Sequence, residues 1–319
     1  MGNGQMIEKL NFDTVILGGG PAGLAAGIYA SRGAVSTAIV DVNMFGGQPS
    51  NYLELENYPG FLTVGGYDLM EKFEQHADIF DVKKFPMQEI EFVDLKNKII
   101  RTKEYEFVAK TIIIATGAQP MKLGVEGEKE FIGRGVSYCA VCDGAFYKDK
   151  VVAVVGGGNS ALEEAIYLTR FAKKVYVIHR RKEFRADKIV QERAFKNGKI
   201  EFVFDSVVEK IVGEQVVNSV IIKNVKSGEI GILNVDGVFP YIGISPNVEM
   251  FEGQIAQDEQ GFIVTDEKMR TSLEGVYAVG DVRTTPLRQV VTATSDGAVA
   301  AVYALRYLEE KSHTSKINP

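Results

Sequence analysis

The chain has 319 residues, of which 45% are apolar and 24% are charged, a balance typical of globular proteins and sufficient for two domains. Its net charge of −6 and isoelectric point of about 5.4 argue against a nucleic-acid-binding protein, which normally carries a basic excess. No apolar run approaches the ~20 residues that span a bilayer, and Met1–Leu10 lacks the basic and apolar blocks of a signal peptide. We therefore expect a cytoplasmic protein without a membrane or nucleic-acid partner.

A glycine-rich turn lies between a short apolar strand, Phe12–Leu17, and an apolar helix, Leu24–Ala30. The turn consists of Gly18, Gly19, Gly20, Pro21, Ala22 and Gly23. In such a turn Gly18 permits the tight bend, Gly20 lets the backbone approach a pyrophosphate, and Gly23 lets the helix pack on the strand. The proline fits the first helical turn, and the N-terminus of the helix then faces the phosphates.

An acidic residue follows the next predicted strand. Ser36–Val40 reads as that strand, and Asp41 directly after it is placed to bind a ribose hydroxyl. Strand, glycine turn, helix and terminal acid together predict a dinucleotide-binding unit. The alternative is a glycine-rich turn that serves packing alone.

Two loops are predicted to line the same ligand. One contains Gly46, Gly47 and Gln48, and the other is Glu56–Gly60 with Asn57. After them, Gly66–Asp81 has the spacing of an amphipathic helix. Its apolar face would consist of Leu69, Phe73, Ala77 and Phe80.

A pair of antiparallel strands is predicted next, Ile90–Ile100 and Tyr105–Ile114. The second strand runs into a sharp turn where Thr116 and Gly117 let the backbone approach a cofactor. Residues Met121–Gly127 then read as a linker.

The chain holds only two cysteines, Cys139 and Cys142, and Asp143 follows them directly. Thiols at this spacing can close a disulfide, open it on reduction and pass two electrons to another disulfide, while an adjacent acid manages the proton. A structural zinc site needs four ligands, and none of the three histidines lies at ligand spacing, so we predict no metal. A half-site completed across a dimer and two inert buried cysteines are the remaining alternatives.

After the cysteines the first pattern returns. A strand, Val151–Val155, precedes a second glycine turn, and a helix, Leu162–Phe171, and a strand, Lys174–Ile178, follow it. The turn contains Gly156, Gly157, Gly158, Asn159, Ser160 and Ala161.

The second unit has basic residues where the first has Asp41. These are His179, Arg180 and Arg181, with Arg185 four residues later. An acid would repel a 2′-phosphate, whereas arginines pair with it, so this unit is predicted to bind NADPH and the first unit a flavin. A solvated basic turn is the alternative.

The last third of the chain closes both units. Ile200–Phe239 reads as several short strands that cover the second domain, and Tyr241–Pro246 reads as the return linker. Gly275–Asp281 is predicted to be a strand, and Gly280 and Asp281 at its end would meet the flavin's ribityl or phosphate end. Arg288, Gln289 and Val290 are predicted to open a helix, Val291–Leu308. The segment Ser312–Pro319 is predicted to be a frayed tail. The first domain is thus interrupted by the second.

This combination resembles the low-molecular-weight, bacterial-type thioredoxin reductases over nearly the whole chain. The motifs that carry the resemblance are Gly18-x-Gly20-x-x-Gly23, Gly46-Gly47-Gln48, Ala115-Thr116-Gly117, Cys139-Ala140-Val141-Cys142-Asp143, Gly156-x-Gly158-x-x-Ala161, His179-Arg180-Arg181 with Arg185, Gly280-Asp281 and Arg288-Gln289. The cysteine motif just before the second glycine turn discriminates best, because glutathione-reductase-type flavoenzymes carry their redox cysteines in the first domain.

The resemblance implies an α/β, two-dinucleotide-binding flavoprotein fold of two three-layer domains. Residues 1–121 and 245–319 would form a discontinuous FAD domain, and 122–244 an inserted NADPH domain that carries the cysteines. It also implies FAD and NADPH as cofactors, a homodimer, and thioredoxin or a thioredoxin-like protein as electron acceptor.

The resemblance also implies residue roles. The thiol of Cys142 would interact with the flavin, Cys139 would attack the thioredoxin disulfide, and Asp143 would handle the proton. One domain would rotate relative to the other about hinges near Lys122 and Gly243. Small departures from the family pattern are Val141 between the cysteines, where Thr is common, and Asn43-Met44-Phe45 before Gly46, where many relatives carry a charge.

Other functions are weighed against this one. Some relatives take electrons from ferredoxin but usually show a degraded second nucleotide motif, which is intact here. A preference for NADH is disfavoured by the three arginines, and relatives that oxidise small dithiols with oxygen are excluded only weakly. A flavin-bound sensor that turns nothing over would not need a nicotinamide site, a flavin site and a dithiol in one chain.

Overall fold

The computed structural model describes residues 7–51, 55 and 57–317, and for residues 141, 142 and 314–317 it describes the backbone. The chain folds into two compact α/β units, Met1–Gln119 with Ser245–Pro319 and Pro120–Ile244. The second unit is therefore inserted into the first. No helix of the described residues is long and apolar enough to cross a membrane.

The first unit is built on a seven-stranded sheet with the order β3-β2-β1-β6-β5-β4, in which β16 also pairs with β6. The strands are β1 Glu8–Leu17, β2 Thr37–Val40, β3 Lys83–Phe85, β4 Ile90–Asp94, β5 Ile99–Thr102, β6 Tyr105–Ile114 and β16 Val276–Ala278. Strand β1 lies parallel to β2 and β6, and β16 is parallel to the last three residues of β6. The carboxyl ends of these parallel strands therefore meet at one edge, where ligands of such sheets bind.

The prediction of one strand over Ile90–Ile100 is wrong. The segment forms the hairpin β4–β5, because the Asp94 carboxylate accepts hydrogen bonds from the backbone and side-chain nitrogens of Asn97 at 2.9 and 2.8 Å. Lys98 then adopts a left-handed conformation with φ of 57°. An Asp and an Asn three residues apart are ordinary turn residues, so the sequence contained this signal.

Three helices of the first unit surround an apolar core on one face of its sheet. They are α1 Pro21–Arg32, α2 Gly66–Ile79 and α6 Val290–Ile317. Of the predicted apolar face of α2, Leu69 and Ala77 are buried, and Phe73 and Phe80 pack against the core.

The predicted frayed tail from Ser312 is wrong as far as Ile317, because α6 continues to that residue. The segment contains no Gly or Pro before the terminal residue, and Lys311 forms an ion pair with Glu274 at 2.8 Å. Residues 318 and 319 of the predicted tail lie outside the described residues.

The second unit has three layers. Its four-stranded parallel sheet has the order β10-β9-β8-β14, and a three-stranded antiparallel sheet has the order β11-β12-β13. The elements are α3 Ala140–Asp143, β8 Val151–Gly156, α4 Asn159–Leu168, β9 Lys174–Ile178, α5 Lys188–Phe195, β10 Ile200–Val203, β11 Ser206–Gly213, β12 Val217–Asn224, β13 Ile230–Asn234 and β14 Gly237–Tyr241.

The side chains of β8 divide the core of this unit. Val152 and Val154 pack with the helices, whereas Ala153 and Val155 pack with the antiparallel sheet. This alternation is the period of two expected for a strand buried on both faces. Helix α4 ends at Leu168, three residues earlier than predicted, where the Thr169 hydroxyl donates to the carbonyl of Ile166 at 2.6 Å.

The two connections between the units, β7 Ala118–Pro120 and β15 Ile244–Pro246, pair with each other. Next to them the backbone nitrogen of Met121 donates to the carbonyl of Gly243 at 3.0 Å. The predicted linkers are therefore joined to each other by hydrogen bonds.

Close packing of α1 on α6 generates a stability prediction. A Cβ at Gly297 would lie 2.1 Å from the carbonyl oxygen of Ala22, so Gly297→Ala must push the helices apart. We expect a loss of about 1–3 kcal/mol in the free energy of unfolding, although Ala normally favours a helix by about 1 kcal/mol. Thermal unfolding of the FAD-loaded protein measures this change. Gly198→Ala is the control, because a Cβ there meets nothing within 4 Å; equal midpoints for the two variants would contradict the prediction.

Candidate nucleotide and redox sites

The first glycine turn brings backbone onto backbone. Gly18 has φ of 109°, and a Cβ there would lie 2.2 Å from the carbonyl oxygen of Ala115, at the end of the neighbouring strand. A Cβ at Gly23 would lie 1.8 Å from the carbonyl oxygen of Gly18, so only glycine lets the helix approach the strand this closely. The turn therefore sets the N-terminus of α1 at the carboxyl edge of the sheet.

The N-terminus of α1 is free to receive an anion. Its N-cap is Gly20, no side chain caps it, and its first turn contains no acid. Around Gly20 the space is open, since the nearest atom to an added Cβ is the Cα of Gly47 at 3.8 Å. Unpaired backbone N–H groups at a helix N-terminus attract phosphate, so Gly20, Pro21, Ala22 and Gly23 fit a pyrophosphate.

Asp41 lies at the end of β2, as predicted, and its carboxylate holds the neighbouring loops. Oδ2 accepts a hydrogen bond from the nitrogen of Gly19 at 2.6 Å, and Oδ1 accepts one from Asn43 at 2.8 Å. Burial raises the pKa of Asp41, while these backbone hydrogen bonds act in the opposite direction. Because each carboxylate oxygen has a second lone pair, the group retains capacity to accept a bond from a ribose hydroxyl.

The two predicted flavin loops approach the turn and the C-terminal helix. The nitrogen of Gly46 donates to the carbonyl of Gly19 at 2.8 Å, and Gln48 is exposed at the start of a 3-10 turn. The side-chain nitrogen of Asn57 donates to Oε1 of Gln289 at 2.8 Å, which joins two predicted ligand residues 232 positions apart. Glu56 of the second loop lies outside the described residues.

The turn after β6 is held by a residue that the sequence analysis missed. Asn247 accepts a hydrogen bond from the Thr116 hydroxyl at 2.7 Å through its carbonyl, and its side-chain nitrogen donates to the Thr116 carbonyl at 2.8 Å. Its backbone nitrogen donates to the carbonyl of Gly117 at 3.0 Å. A Cβ at Gly117 would meet nothing within 4 Å, so the clamped turn presents bare backbone to open space.

The segment around Asp281 supplies a buried carboxylate. Among the described residues no group donates a hydrogen bond to the Asp281 side chain, and burial raises its pKa while the charge of Arg288 lowers it. The Arg288 guanidinium lies 4.1 Å from the ring centre of Phe262, and its buried Nε has no hydrogen-bond partner among the described residues. Gly280 is held by the Asp296 carboxylate at 3.1 Å, next to the start of α6 at Val290.

The second glycine turn repeats this geometry. Gly156 has φ of 156°, and a Cβ there would lie 2.2 Å from the carbonyl oxygen of Tyr241. Gly158 is the N-cap of α4, and a Cβ there would meet nothing within 4 Å. No acid stands in the first turn of α4, in which Ser160 is exposed and Ala161 is buried. The turn fits a second pyrophosphate.

The side chain of Asn159 does not point to a free ligand position. Its nitrogen donates to Oδ2 of Asp187 at 2.8 Å, and its oxygen accepts from the backbone nitrogen of Asp187 at 2.6 Å. These two bonds fasten the glycine turn to the start of α5. Only the backbone of Asn159 is thus available to a phosphate.

His179 is a packing residue beneath the second glycine turn. Its ring is 5% exposed, stacks on Phe184 with ring centres 5.3 Å apart, and leaves no space for a Cβ at Gly157. Its Nε2 lies 3.1 Å from the carbonyl oxygen of Glu183. Burial lowers the pKa of His179, and the neighbouring arginines, Arg185 foremost, lower it further.

The three arginines of the predicted 2′-phosphate site are exposed at one loop. The backbone nitrogen of Arg185 donates to the carbonyl of Gly157 at 2.8 Å, which ties this loop to the glycine turn. A surface cavity of about 340 Å³ is lined by Arg181, Arg185 and the three residues between them. Arg180 is exposed directly before it.

Cys139 is half-buried and disulfide-bonded at the start of α3, and the sequence contains one other cysteine, Cys142. The side chain of Cys142 lies outside the described residues. The Ser137 hydroxyl accepts from the nitrogen of Cys139 at 3.1 Å and lies 3.2 Å from its carbonyl oxygen, which also accepts from the nitrogen of Asp143 at 3.2 Å. Among the described residues, no group of three or more His, Cys, Asp or Glu side chains could hold a metal.

Comparison with known proteins gives concordant results. The profile of the family described as pyridine nucleotide-disulphide oxidoreductase matches residues 12–297. Thioredoxin reductase of Listeria innocua is 47% identical over 95% of this chain and 96% of its own, and that of Bacillus subtilis 45% over 98% and 99%. The crystal structure of Lactococcus lactis thioredoxin reductase, 44% identical, superimposes with a TM-score of 0.85 over 94% of this chain and 99% of that one.

Glu164, on the helix of the second glycine turn, generates a pH prediction. Its buried Oε2 has no hydrogen-bond partner in the described part of the chain, and burial, with a smaller effect of Glu163, raises its pKa from 4.5 to about 7. A carboxyl whose pKa is raised on folding stabilises the folded state only while protonated, so this stability is lost as the pH rises from 4.5 to 7. At pH 8, Glu164→Gln should therefore gain about 1–3 kcal/mol, or about 2–6 °C in melting temperature.

The gain of Glu164→Gln should disappear near pH 4.5, where the carboxyl is protonated in both states. Melting curves between pH 4.5 and pH 8 measure it on the FAD-loaded protein. The exposed Glu192→Gln on α5 is the matched control and should follow the unsubstituted protein at every pH. A gain that did not change with pH would contradict the assignment.

Proposed function

The chain belongs to the thioredoxin reductases of the pyridine nucleotide-disulphide oxidoreductase family, and we propose that it is an NADPH-dependent thioredoxin-disulfide reductase. The observation that carries this proposal is the combination, in one chain, of two uncapped glycine-turn helices and an oxidised Cys139. Transfer of two electrons from a nicotinamide through a flavin to a disulfide requires two nucleotide sites and a disulfide.

We propose that the discontinuous domain, 1–121 with 245–319, binds FAD. The residues assigned to it are Gly18, Gly20, Pro21, Ala22, Gly23, Asp41, Gly47, Gln48, Asn57, Thr116, Gly117, Gly280, Asp281, Arg288, Gln289 and Val290. Their arrangement suits the molecule because the N-terminus of α1 attracts a pyrophosphate and the carboxylates of Asp41 and Asp281 accept bonds from hydroxyl groups. The open backbone at Gly117 gives a flat ring room to approach.

We propose that the inserted domain, 122–244, binds NADPH. Gly156, Gly158, Asn159, Ser160 and Ala161 would receive the pyrophosphate at the N-terminus of α4. Arg180, Arg181 and Arg185 would hold the 2′-phosphate, because guanidinium groups pair with phosphate through parallel hydrogen bonds. His179 contributes by supporting Gly157 from below.

The redox step is assigned to Cys139 and Cys142. FAD, when bound, accepts two electrons from NADPH and delivers them to the disulfide. In this proposal Cys142 would be the thiol that interacts with the flavin, and Cys139 would attack the disulfide of thioredoxin to form a mixed disulfide that Cys142 resolves. Asp143 lies one residue after the pair, where it can hold the proton released or taken up by a thiol.

Thioredoxin is proposed as the acceptor, and an exposed aromatic residue supports a protein partner. Phe146 is 73% exposed although it follows the redox pair by only four residues. An exposed aromatic side chain beside a reactive disulfide is typical of a docking position for a protein. We further propose that the protein is cytoplasmic and that it forms a homodimer, the latter as the resemblance to bacterial-type thioredoxin reductases implies; analytical ultracentrifugation of the FAD-loaded protein tests the dimer.

An anaerobic titration with NADPH tests the proposed function. The flavin and the disulfide each accept two electrons, so the unsubstituted protein should consume more than one NADPH per flavin before its flavin absorbance is fully bleached. Cys142→Ser removes the disulfide, so this variant should consume one NADPH per flavin and lose reduction of thioredoxin. Equal consumption by both proteins, or retained thioredoxin reduction in the variant, would contradict the disulfide mechanism.

The arginine loop generates a prediction about the nucleotide. In the double variant Arg180→Ala with Arg181→Ala, kcat/KM for NADPH should fall by about 100-fold or more, because two charge-assisted contacts are each worth about 1.5–3 kcal/mol. The value for NADH should change little, since NADH has no 2′-phosphate. Arg193→Ala, an exposed arginine on α5, is the control. Similar losses with the two nucleotides would refute the 2′-phosphate assignment.

A further inference from the structure

The hydroxyl of one tyrosine, Tyr241, holds the backbone between the two cysteines. The backbone nitrogen of Ala140 donates to this hydroxyl at 2.8 Å, and Ala140 itself is fully buried. The two residues lie 101 positions apart, so this contact depends on the tertiary fold alone. Ala140 directly follows Cys139 in the redox turn, which consists of residues 139–142.

Tyr241 is itself fixed to the nucleotide turn. It ends β14 in register with Gly156 of β8, and its carbonyl oxygen occupies the space that a Cβ at Gly156 would need. Its ring packs against the apolar core on the helical side of the sheet. One residue therefore contacts the glycine turn with its backbone and the redox turn with its side chain.

The segment that leads into the redox turn follows the same strand. Val136 forms a bridge with Val238 of β14, and the nitrogen of Ser137 donates to the carbonyl of Val238 at 3.0 Å. Backbone pairing with β14 thus ends before Cys139, and the hydroxyl of Tyr241 supplies the next hydrogen bond along the strand.

The residue directly before Cys139 is anchored to a buried carboxylate. The Tyr138 hydroxyl donates to Oε1 of Glu128 at 2.8 Å, and Glu128, 3% exposed, also accepts bonds from the nitrogens of Leu123 and Gly124 at 2.7 Å each. The redox turn is therefore held at Tyr138 by Glu128 and at Ala140 by the hydroxyl of Tyr241.

We propose that Tyr241 is a positioning residue whose hydroxyl stabilises the disulfide form of the Cys139–Cys142 pair relative to the dithiol form. The disulfide ring restricts the turn, and in that state the Ala140 nitrogen meets the Tyr241 hydroxyl. Reduction opens the ring and gives the turn more conformations, so the same hydrogen bond contributes less to the dithiol. The assignment rests on the proposed redox role of the pair.

The test is the equilibrium of the FAD-loaded protein with reduced and oxidised dithiothreitol, without NADPH. Each dithiothreitol that closes to its cyclic disulfide opens one protein disulfide to two thiols, so atoms and electrons balance. Free thiols are counted by alkylation after quenching. Tyr241→Phe should be half-reduced at a ratio of reduced to oxidised dithiothreitol about fivefold lower than the unsubstituted protein, which follows from a hydrogen bond worth about 1 kcal/mol and equals about 20 mV.

Two further variants separate the hydroxyl from packing. Tyr241→Leu also loses the ring and is expected to be less stable, yet it should show the same shift in the equilibrium as Tyr241→Phe. Tyr176→Phe, which removes a hydroxyl that accepts from Lys174 on β9, should show no shift. An unchanged ratio in Tyr241→Phe, or a shift confined to Tyr241→Leu, would overturn the proposal.

Failure of this inference can be distinguished from failure of the proposed function. The dithiothreitol equilibrium reports the cysteine pair directly and needs neither NADPH nor thioredoxin. An unsubstituted protein that did not reduce thioredoxin would refute the proposed function, and the comparison of the tyrosine variants would still decide the role of the hydroxyl.

Discussion

Direct packing of backbone on backbone at two glycine turns is the constraint on which both candidate nucleotide sites depend. A Cβ at Gly18 or at Gly156 would lie 2.2 Å from a carbonyl oxygen, which is much shorter than a van der Waals contact. The helix that follows each turn therefore begins directly over the carboxyl edge of its sheet. Because neither helix has a side-chain cap or an acid in its first turn, its N–H groups remain available to an anion.

Each turn is then fixed by side chains that come from outside it. In the first unit the Asp41 carboxylate accepts from Gly19, and in the second the ring of His179 fills the space under Gly157. The two units thus use the residue after their second strand in different ways, one through a hydrogen bond and the other through packing. This difference leaves the positive charges of the second unit outside, on the loop that follows.

Much of this arrangement could be predicted from the sequence, and the remainder follows from contacts that local patterns do not encode. Glycines, strand and helix occur within about 30 residues in such units, so a pattern detects them. Asn247 contacts Thr116 across 131 positions, and Tyr241 contacts Ala140 across 101, and no local spacing indicates either pair. The hairpin after Ile90 is a different case, because Asp94 and Asn97 were visible and were read as part of a continuous strand.

Burial of His179 has a consequence for the charge of the nucleotide loop. A buried imidazole beside three arginines has its pKa lowered below 6.5, so it is neutral at neutral pH. In the proposed 2′-phosphate site the positive charge then comes from Arg180, Arg181, Arg185 and the neighbouring Lys182, and not from the imidazole. A phosphate monoester loses its second proton near pH 6, so the attraction between this loop and the proposed 2′-phosphate would grow through that range because the phosphate titrates. A histidine at the surface would lose its positive charge near the pH at which the phosphate gains negative charge, and this loss would weaken the attraction. Because the ring lies buried beneath Gly157, the loop does not depend on the charge of a histidine.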